Sequence, residues 1–377
     1  MKLIMEGWRK YLTEETTAPK KVIFMAGAPG VGKSYVREKL GLDKLPQFQH
    51  EVKDKKTGKK RMELNVVDPD KIYVPLLKKE LPPLGVPEEE AANVEKLTLE
   101  YVRVRRALKE LLSQILNSTE PEEGWKSEEI ENKYDEAHER LEDNSDVAVK
   151  LDAAKREYDS KRNICQVQGQ CFASGQKQAK SQQEEWFQQD LSIIIDGTAG
   201  YYSRILNQKQ AFEQAGYDVA MIFVDAPLET AVASDKDRER KLGARTIEKS
   251  MKSLLGGTYY DSKKGEEVTK PNIMKPFVDR FGREQQGYEK EFGDNYFYVI
   301  NDRAQTDKSI AAIKPQFQRF LSGQELNEAD WQKYVESNYS RWMTTLTRQG
   351  GNQNSGPYKK KAPINYRGSA PPGTVGG

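Results

Sequence analysis

The chain has 377 residues, with 60 Lys and Arg against 58 Asp and Glu and a formal net charge of +2, so no global field draws it onto nucleic acid or a membrane, and such binding needs a local patch. Charged residues make up 31% and mean hydropathy is −0.83, which calls for strongly solvated helices or disordered stretches beside an ordinary core. Two cysteines, Cys165 and Cys171, and two histidines, His50 and His138, are too few for a disulfide framework or a zinc cage, and the longest apolar runs, residues 191–195 and 219–224, fall far short of the ~18 residues a membrane span needs.

The opening MKLIMEGWRKYLTEE lacks a sustained apolar stretch and a small-residue cleavage site. No secretory signal is expected, and the setting is expected to be cytoplasmic. Leu3, Ile4, Trp8 and Leu12 give residues 1–20 an amphipathic spacing that suits either a cover for the chain's own surface or, with Tyr11, a docking segment. Five apolar runs then follow: KVIFMAG (21–27), ELNVVD (63–68), LSIIID (191–196), DVAMIFVD (218–225) and NYFYVIND (295–302). Each is nearly continuous in Val, Ile, Phe or Tyr, which suits strands covered on both faces, and helical patterns separate them. The expected fold is α/β: a core on a five-stranded parallel sheet, with a ligand crevice at the carboxyl ends of the strands.

Residues 21–75 form the first part of this core. They include a basic hairpin turning at Thr57 and Gly58, with Lys53, Lys55, Lys56, Lys59, Lys60 and Arg61 near its tip. Residues 76–170 read as a charged helical insertion. Tyr101, Val104, Leu108, Leu111, Leu112 and Ile115 recur at helical spacing, and Tyr134, Ala137 and Leu141 repeat the pattern after a loop, so a helical hairpin is expected. Residues 171–320 return to the core. Residues 321–349 carry a terminal helix with Asn327 as cap and a stripe of Trp331, Tyr334, Val335, Tyr339 and Trp342. Residues 350–377 are rich in Gly, Pro and Ser with four basic and no acidic residues, and are expected to be a disordered basic tail.

The chemistry is concentrated at GAPGVGKS, which fits G-x-x-x-x-G-K-[ST] between a strand and a helix. Gly27, Ala28, Pro29, Gly30, Val31 and Gly32 supply a loop whose N–H groups point at phosphate oxygens. Lys33 reaches the outer phosphates, and Ser34 ligates Mg²⁺. The second strand ends in VVDPDK, bringing Asp68 and Asp70 to the crevice. Asp70 is the favoured base for an acceptor hydroxyl, with a helix N-cap as the other role open to this pair and Asp68 its better candidate. IIIDGTAGY places Asp196 beside the phosphate loop, where it can hold Mg²⁺ or touch substrate, and the glycines around Thr198 leave room for a ligand. After the fourth strand, Arg238, Arg240, Lys241 and Arg245 form either a lid over the nucleotide or a solvated helix face.

On GAPGVGKS, VVDPDK, the stretch IIIDGTAGYYSRILNQKQAFEQAGYDVAMIFVDAP, and DRER followed by GART, the chain resembles the zeta-toxin-like P-loop kinases. The resemblance spans residues 21–74 and 172–245 and implies ATP- or GTP-dependent, Mg²⁺-dependent transfer of a γ-phosphate. It gives Lys33 the phosphate, Asp70 the base role and Asp196 the substrate site, with Arg238 or Arg240 and Arg245 on the transferred group. It also places Asn301 and Asp302 where related kinases contact the base. Zeta toxins carry Glu-Gly-Thr-Gly-Arg after the third strand, where this chain has Asp196 to Gly200 and then Tyr201, leaving Arg204 as the nearest replacement for the substrate-reading arginine. UDP-sugar is therefore not the expected acceptor. The expected acceptors are a hydroxyl of a nucleotide, a sugar nucleotide, or a nucleic-acid end tracked by Lys53 to Arg61 and the tail. The opening MKLIMEGWRKYL also resembles proteins of large tailed bacteriophages, which implies host cytoplasm or a virion as the location. That likeness leaves a second expectation: a virion-associated interaction protein built on a kinase-like fold.

Overall fold

A computed structural model describes residues 20–53, 58–117, 125–141, 146–261, 266–302, 305–324, 329–334 and 336. In chain order the elements begin with β1 (Lys21–Ala26), α1 (Lys33–Lys39), β2 (Gln49–Lys53), β3 (Lys60–Leu64), β4 (Val66–Val67) and α2 (Pro69–Glu80). The long helices α3 (Val94–Leu116), α4 (Ser127–Arg140) and α5 (Asp146–Gln188) come next, then β5 (Ile193–Asp196), α6 (Tyr202–Gln214), β6 (Asp218–Asp225), α7 (Leu228–Lys236) and α8 (Ala244–Leu255). The chain continues through β7 (Gly256–Asp261), β8 (Glu266–Asn272), β9 (Phe277–Val278), β10 (Glu284–Gln285), α9 (Gly287–Phe292), β11 (Tyr296–Ile300) and α10 (Thr306–Ser322).

Five of the strands form one sheet in the order β11-β6-β1-β5-β4, parallel throughout. β1 lies at its centre with all six residues buried. That is why its sequence shows no polar alternation: both faces are covered by helices. Its first residue, Lys21, is buried only because its ammonium reaches Asp218 Oδ2 (2.6 Å) at the bottom of the sheet. The fourth run is a strand over the whole of Asp218–Asp225.

The second run departs from expectation. ELNVVD is not one strand but a junction. Its first half belongs to the antiparallel β2–β3 hairpin, and its second half is the two-residue edge strand β4. Asn65 makes the switch. It is fully buried, its N–H donates to Phe48 O (2.6 Å), its carbonyl accepts from Ile194 N–H (2.8 Å), and its side-chain amide donates to Ser192 O (2.9 Å). A buried Asn with partners on both sheets fixes where one pairing ends and the other starts.

The insertion folds around its own core. Val104, Leu108, Leu112 and Leu116 of α3 meet Ile130 and Ala137 of α4 and Leu151 and Tyr158 of α5. It is thus a three-helix arrangement rather than a hairpin, because α5 supplies a third wall. α5 runs 43 residues, about 65 Å at 1.5 Å per residue, and passes through residue 170 without a break. Its second half buries Ala179, Trp186 and Phe187 against the sheet. The insertion is therefore joined to the core by a continuous helix. At the other end Trp331 is buried in the main core and stacks on Tyr334 at 5.3 Å. Asn327, Val335, Tyr339, Trp342, the segment 1–19, the hairpin tip at Thr57 and the tail 350–377 lie outside the described residues. Among the described residues no helix is long and apolar enough to cross a membrane.

Candidate functional site

The loop between β1 and α1 is a tight curl set against the neighbouring strand end. Gly30 has φ 81°, and a side-chain carbon there would lie 2.2 Å from Ala231 O; at Gly27 the corresponding distance to Val224 O is 2.3 Å. Any larger residue would push the loop off the sheet and spoil the ring of N–H groups it presents. Ala28 and Val31 are buried beneath it, Pro29 and Gly32 are half-buried, and Ser34 is exposed in the first turn of α1. Lys33 folds back over the loop. Its ammonium donates to Gly27 O (3.1 Å) and Ala28 O (3.4 Å) and stands 3.6 Å from Asp196 Oδ1.

Asp196 ends β5, directly beside β1, and the loop behind it is braced. Gly197 N–H donates to Met25 O (3.1 Å), and the buried Tyr288 hydroxyl donates to Ala199 O (2.8 Å). Ala199 sits at φ 56°, a left-handed conformation that a non-glycine residue holds only when its surroundings impose it. Tyr202 completes the brace, accepting from Gly287 N–H (3.0 Å) and donating to Glu291 (3.2 Å). The result is a fixed loop that leaves Thr198 exposed. Arg204 is exposed in the first turn of α6 and makes no ion pair with the described residues.

The next strand outward delivers the second acidic group. Val67 is in register with Ile195, so Asp68 emerges beside Asp196. Asp68 caps α2, its Oδ1 accepting from Asp70 N–H (3.0 Å). Burial, then the negative charges of Asp196 and Asp70, push the Asp68 carboxyl above the ordinary carboxylate value. A carboxyl that holds its proton more tightly in the fold supports stability below about pH 3.9, the unfolded value, and loses that contribution as pH rises through its raised folded value. At neutral pH the ionised group therefore destabilises the free protein. Asp68→Asn, which keeps a capping oxygen, is expected to raise the thermal midpoint at pH 7, with the gain vanishing in melts at about pH 3. An equal gain at both pH values would contradict this.

Asp70 faces the lid. Arg238 NH2 is 3.3 Å from Asp70 Oδ2, and Arg240 pairs with Asp70 Oδ1. The Arg240 guanidinium lies over the Tyr73 ring (5.0 Å) and beside that of Phe172 (5.9 Å). Burial pushes the Tyr73 hydroxyl up to about 12, with Arg240 pulling the other way. The lid arginines thus rest on the residue the sequence favours as base. Arg245, in the first turn of α8, does not join them; its guanidinium lies over Tyr260 at 5.8 Å. Asn301 props the phosphate loop: its side-chain amide donates to Val31 O (2.7 Å) and its oxygen accepts from Thr306 (3.0 Å). Two groups escaped the sequence reading: Asp235, whose buried carboxylate accepts the N–H groups of Leu242 (2.9 Å) and Gly243 (3.0 Å), and Phe172. Only the Asp in SDKDRER gave a hint.

A nucleotide-borne Mg²⁺ suits the donors present. Ser34 offers a hydroxyl and Asp196 a carboxylate, and Mg²⁺ takes one or two protein oxygens together with phosphate oxygens and water. Among the described residues no three His, Cys, Asp or Glu side chains form a self-sufficient cage.

Residues 150–254 match the family model described as Zeta toxin. The match runs from the start of α5 through Asp196, β6 and the lid to α8, and bears out the zeta-toxin-like resemblance there. It supports a P-loop phosphotransferase. It does not reach the phosphate loop or Asp68 and Asp70, whose case stands on geometry. No curated protein and no solved structure matches the chain.

Proposed function

We propose that this protein moves the γ-phosphate of ATP or GTP to a hydroxyl of an acceptor, which is a nucleotide, a sugar nucleotide or a nucleic-acid end. The observation that carries the reading is the convergence at one crevice of the phosphate loop with Lys33, the carboxylates Asp196, Asp68 and Asp70, and two lid guanidiniums. A nucleotide binder needs only the first. A carboxylate row beside it, covered by arginines, suits transfer to an alcohol and the exclusion of water.

In this mechanism Lys33 leaves the carbonyls of Gly27 and Ala28 for the outer phosphates. Asp70 accepts the hydroxyl proton, and Arg238 and Arg240 exchange its charge for the charge that builds on the transferred group. Ser34 and Asp196 would hold a nucleotide-borne Mg²⁺, which would supply further positive charge against the phosphates. Thr198, on its braced loop, offers a hydroxyl to the acceptor. The basic hairpin favours small acceptors over a polynucleotide: Lys60 pairs with Glu51 (2.8 Å) and Arg61 with Glu63 (2.5 Å), so part of its charge is already neutralised.

The test is transfer from γ-labelled ATP and GTP to panels of nucleosides, nucleotides, nucleotide sugars and 5′-hydroxyl oligonucleotides. Label is expected on one acceptor class, with turnover rising in its presence. Release to water alone, whatever the acceptor, would remove the reading. For an oligonucleotide acceptor, affinity is expected to fall with salt, by about 0.7 log units per neutralised phosphate on a single strand per tenfold salt.

A further inference from the structure

The lid is joined to the insertion by main-chain bonds. Lys241 N–H donates to Ala92 O (3.2 Å) and Glu95 N–H donates to Lys241 O (3.2 Å), forming a parallel bridge between Lys241 and Asn93 at the start of α3. Gly243 follows at φ 82°, and a side-chain carbon there would lie 1.9 Å from Glu95 Oε1. A Cβ there would have to displace the Glu95 carboxylate, and the positive φ favours glycine. From the other side, Asp235 at 3% exposure gathers the N–H groups of Leu242 and Gly243, which folds the lid back onto α7. Lys78 of α2 pairs with Glu239. Tyr73 of α2 and Phe172 of α5, edge to face at 5.6 Å, form the bed under Arg240.

We propose that the root of the helical insertion is the fixed half of the lid: the 92–95 turn at the start of α3, together with the Tyr73–Phe172 bed on α2 and α5 where they join the insertion to the core, positions Arg238 and Arg240 over Asp70. The tethers come from α2, α3 and α5, which pack on one another through Tyr73, Leu77, Leu97, Ile164 and Cys171. The insertion's root thus holds the lid and acts as a positioning element for the guanidinium pair. Its catalytic consequence rests on the phosphotransferase reading; the anchoring itself does not.

Hydrogen exchange on the full chain and single-turnover transfer test this together. The amides of Lys241, Leu242 and Gly243 are expected to be protected. Gly243→Ala, which drives a carbon into the Glu95 carboxylate, is expected to cut their protection and the transfer rate by at least about tenfold, with nucleotide affinity and protection across β1 unchanged. Adding Glu95→Ala removes the collision and is expected to restore part of both, the remainder reflecting backbone strain at φ 82°. The extent of recovery separates side-chain collision from strain, and protection at 241–243 left intact by Gly243→Ala would overturn the proposal. Lost protection at 241–243 with unchanged transfer would overturn it as well. If β1 protection also collapses in Gly243→Ala, Phe172→Ala supplies a second arm: a fall in both readouts supports anchoring, and no change in either overturns it. If the native chain labels no acceptor, the phosphotransferase reading fails separately, and exchange with its rescue still decides whether the insertion holds the lid.

Discussion

Replacing Asp70 by Asn is expected to lower single-turnover phosphoryl transfer by about 10²- to 10⁴-fold, the range contributed by a positioned base, while the nucleotide still binds. The amide cannot take the hydroxyl proton. It also cannot hold the two guanidiniums that Asp70 holds now, Arg238 at 3.3 Å and Arg240 in closer contact. Arg240 would keep its aromatic bed, but its Nε is already buried without a hydrogen bond, and losing the carboxylate would leave the rest of the guanidinium poorly paired. Fold stability at the site is therefore expected to drop together with kcat, whereas the nucleotide KM moves little because the phosphate loop lies on a different strand. Titration with a fluorescent nucleotide separates the two effects. The rival assignment is Asp68. Its backbone-capping role survives substitution by Asn, so if Asp68→Asn abolishes transfer and Asp70→Asn spares it, the base is Asp68 and Asp70 is only the lid's resting place.

How far the sequence disclosed this arrangement depended on the kind of bond involved. β1 and β6 were legible because a strand buried on both faces must be apolar throughout, and DVAMIFVD can be little else. The phosphate loop was legible because its glycines are forced by backbone contact with Val224 and Ala231. The end of the second strand was not. The change from hairpin to parallel sheet at Asn65 depends on Ser192, 127 residues away, and a lone polar residue in an apolar run does not name such a partner. The third wall of the insertion was missed because Leu151 and Tyr158 sit in the charged stretch LDAAKREY, with only alanines as apolar residues between them, too sparse a period to mark a helix face.

The same division holds within the site. Asp196 and Asp68 stand at strand ends of one sheet, and Lys33 and Asp70 in the first turns of the helices that follow β1 and β4, which the alternation of runs implies. The cluster under Arg240 draws Tyr73 and Phe172 from helices nearly a hundred positions apart, and the bridge from Lys241 to Ala92 is made by main-chain atoms that leave no trace in side-chain identity. Arg245 and Asn301 show the converse, where a residue on the expected loop makes its contact outside the cluster: Tyr260 for one, the Val31 carbonyl for the other.

Lys33→Ala is expected to reduce transfer by about 10²- to 10³-fold, as removing one preorganised donor to developing charge does, and to weaken nucleotide binding as well, unlike Asp70→Asn. The free protein should register the change too. Lys33 is only 14% exposed and is the cation facing Asp196, itself 13% exposed, in a row where Asp68 already carries unfavourable charge. Deleting the ammonium leaves that partly buried carboxylate without its counter-charge, a loss of about 1–3 kcal/mol, read as a lower denaturation midpoint. Asp196→Asn in the Lys33→Ala background removes the stranded charge and is expected to recover much of that stability but none of the transfer. The double-mutant cycle therefore isolates the ion pair from the phosphate contact. Additive stability effects would show that the two groups do not share one site, and nearly full transfer in Lys33→Ala would show that the loop holds no reacting phosphate.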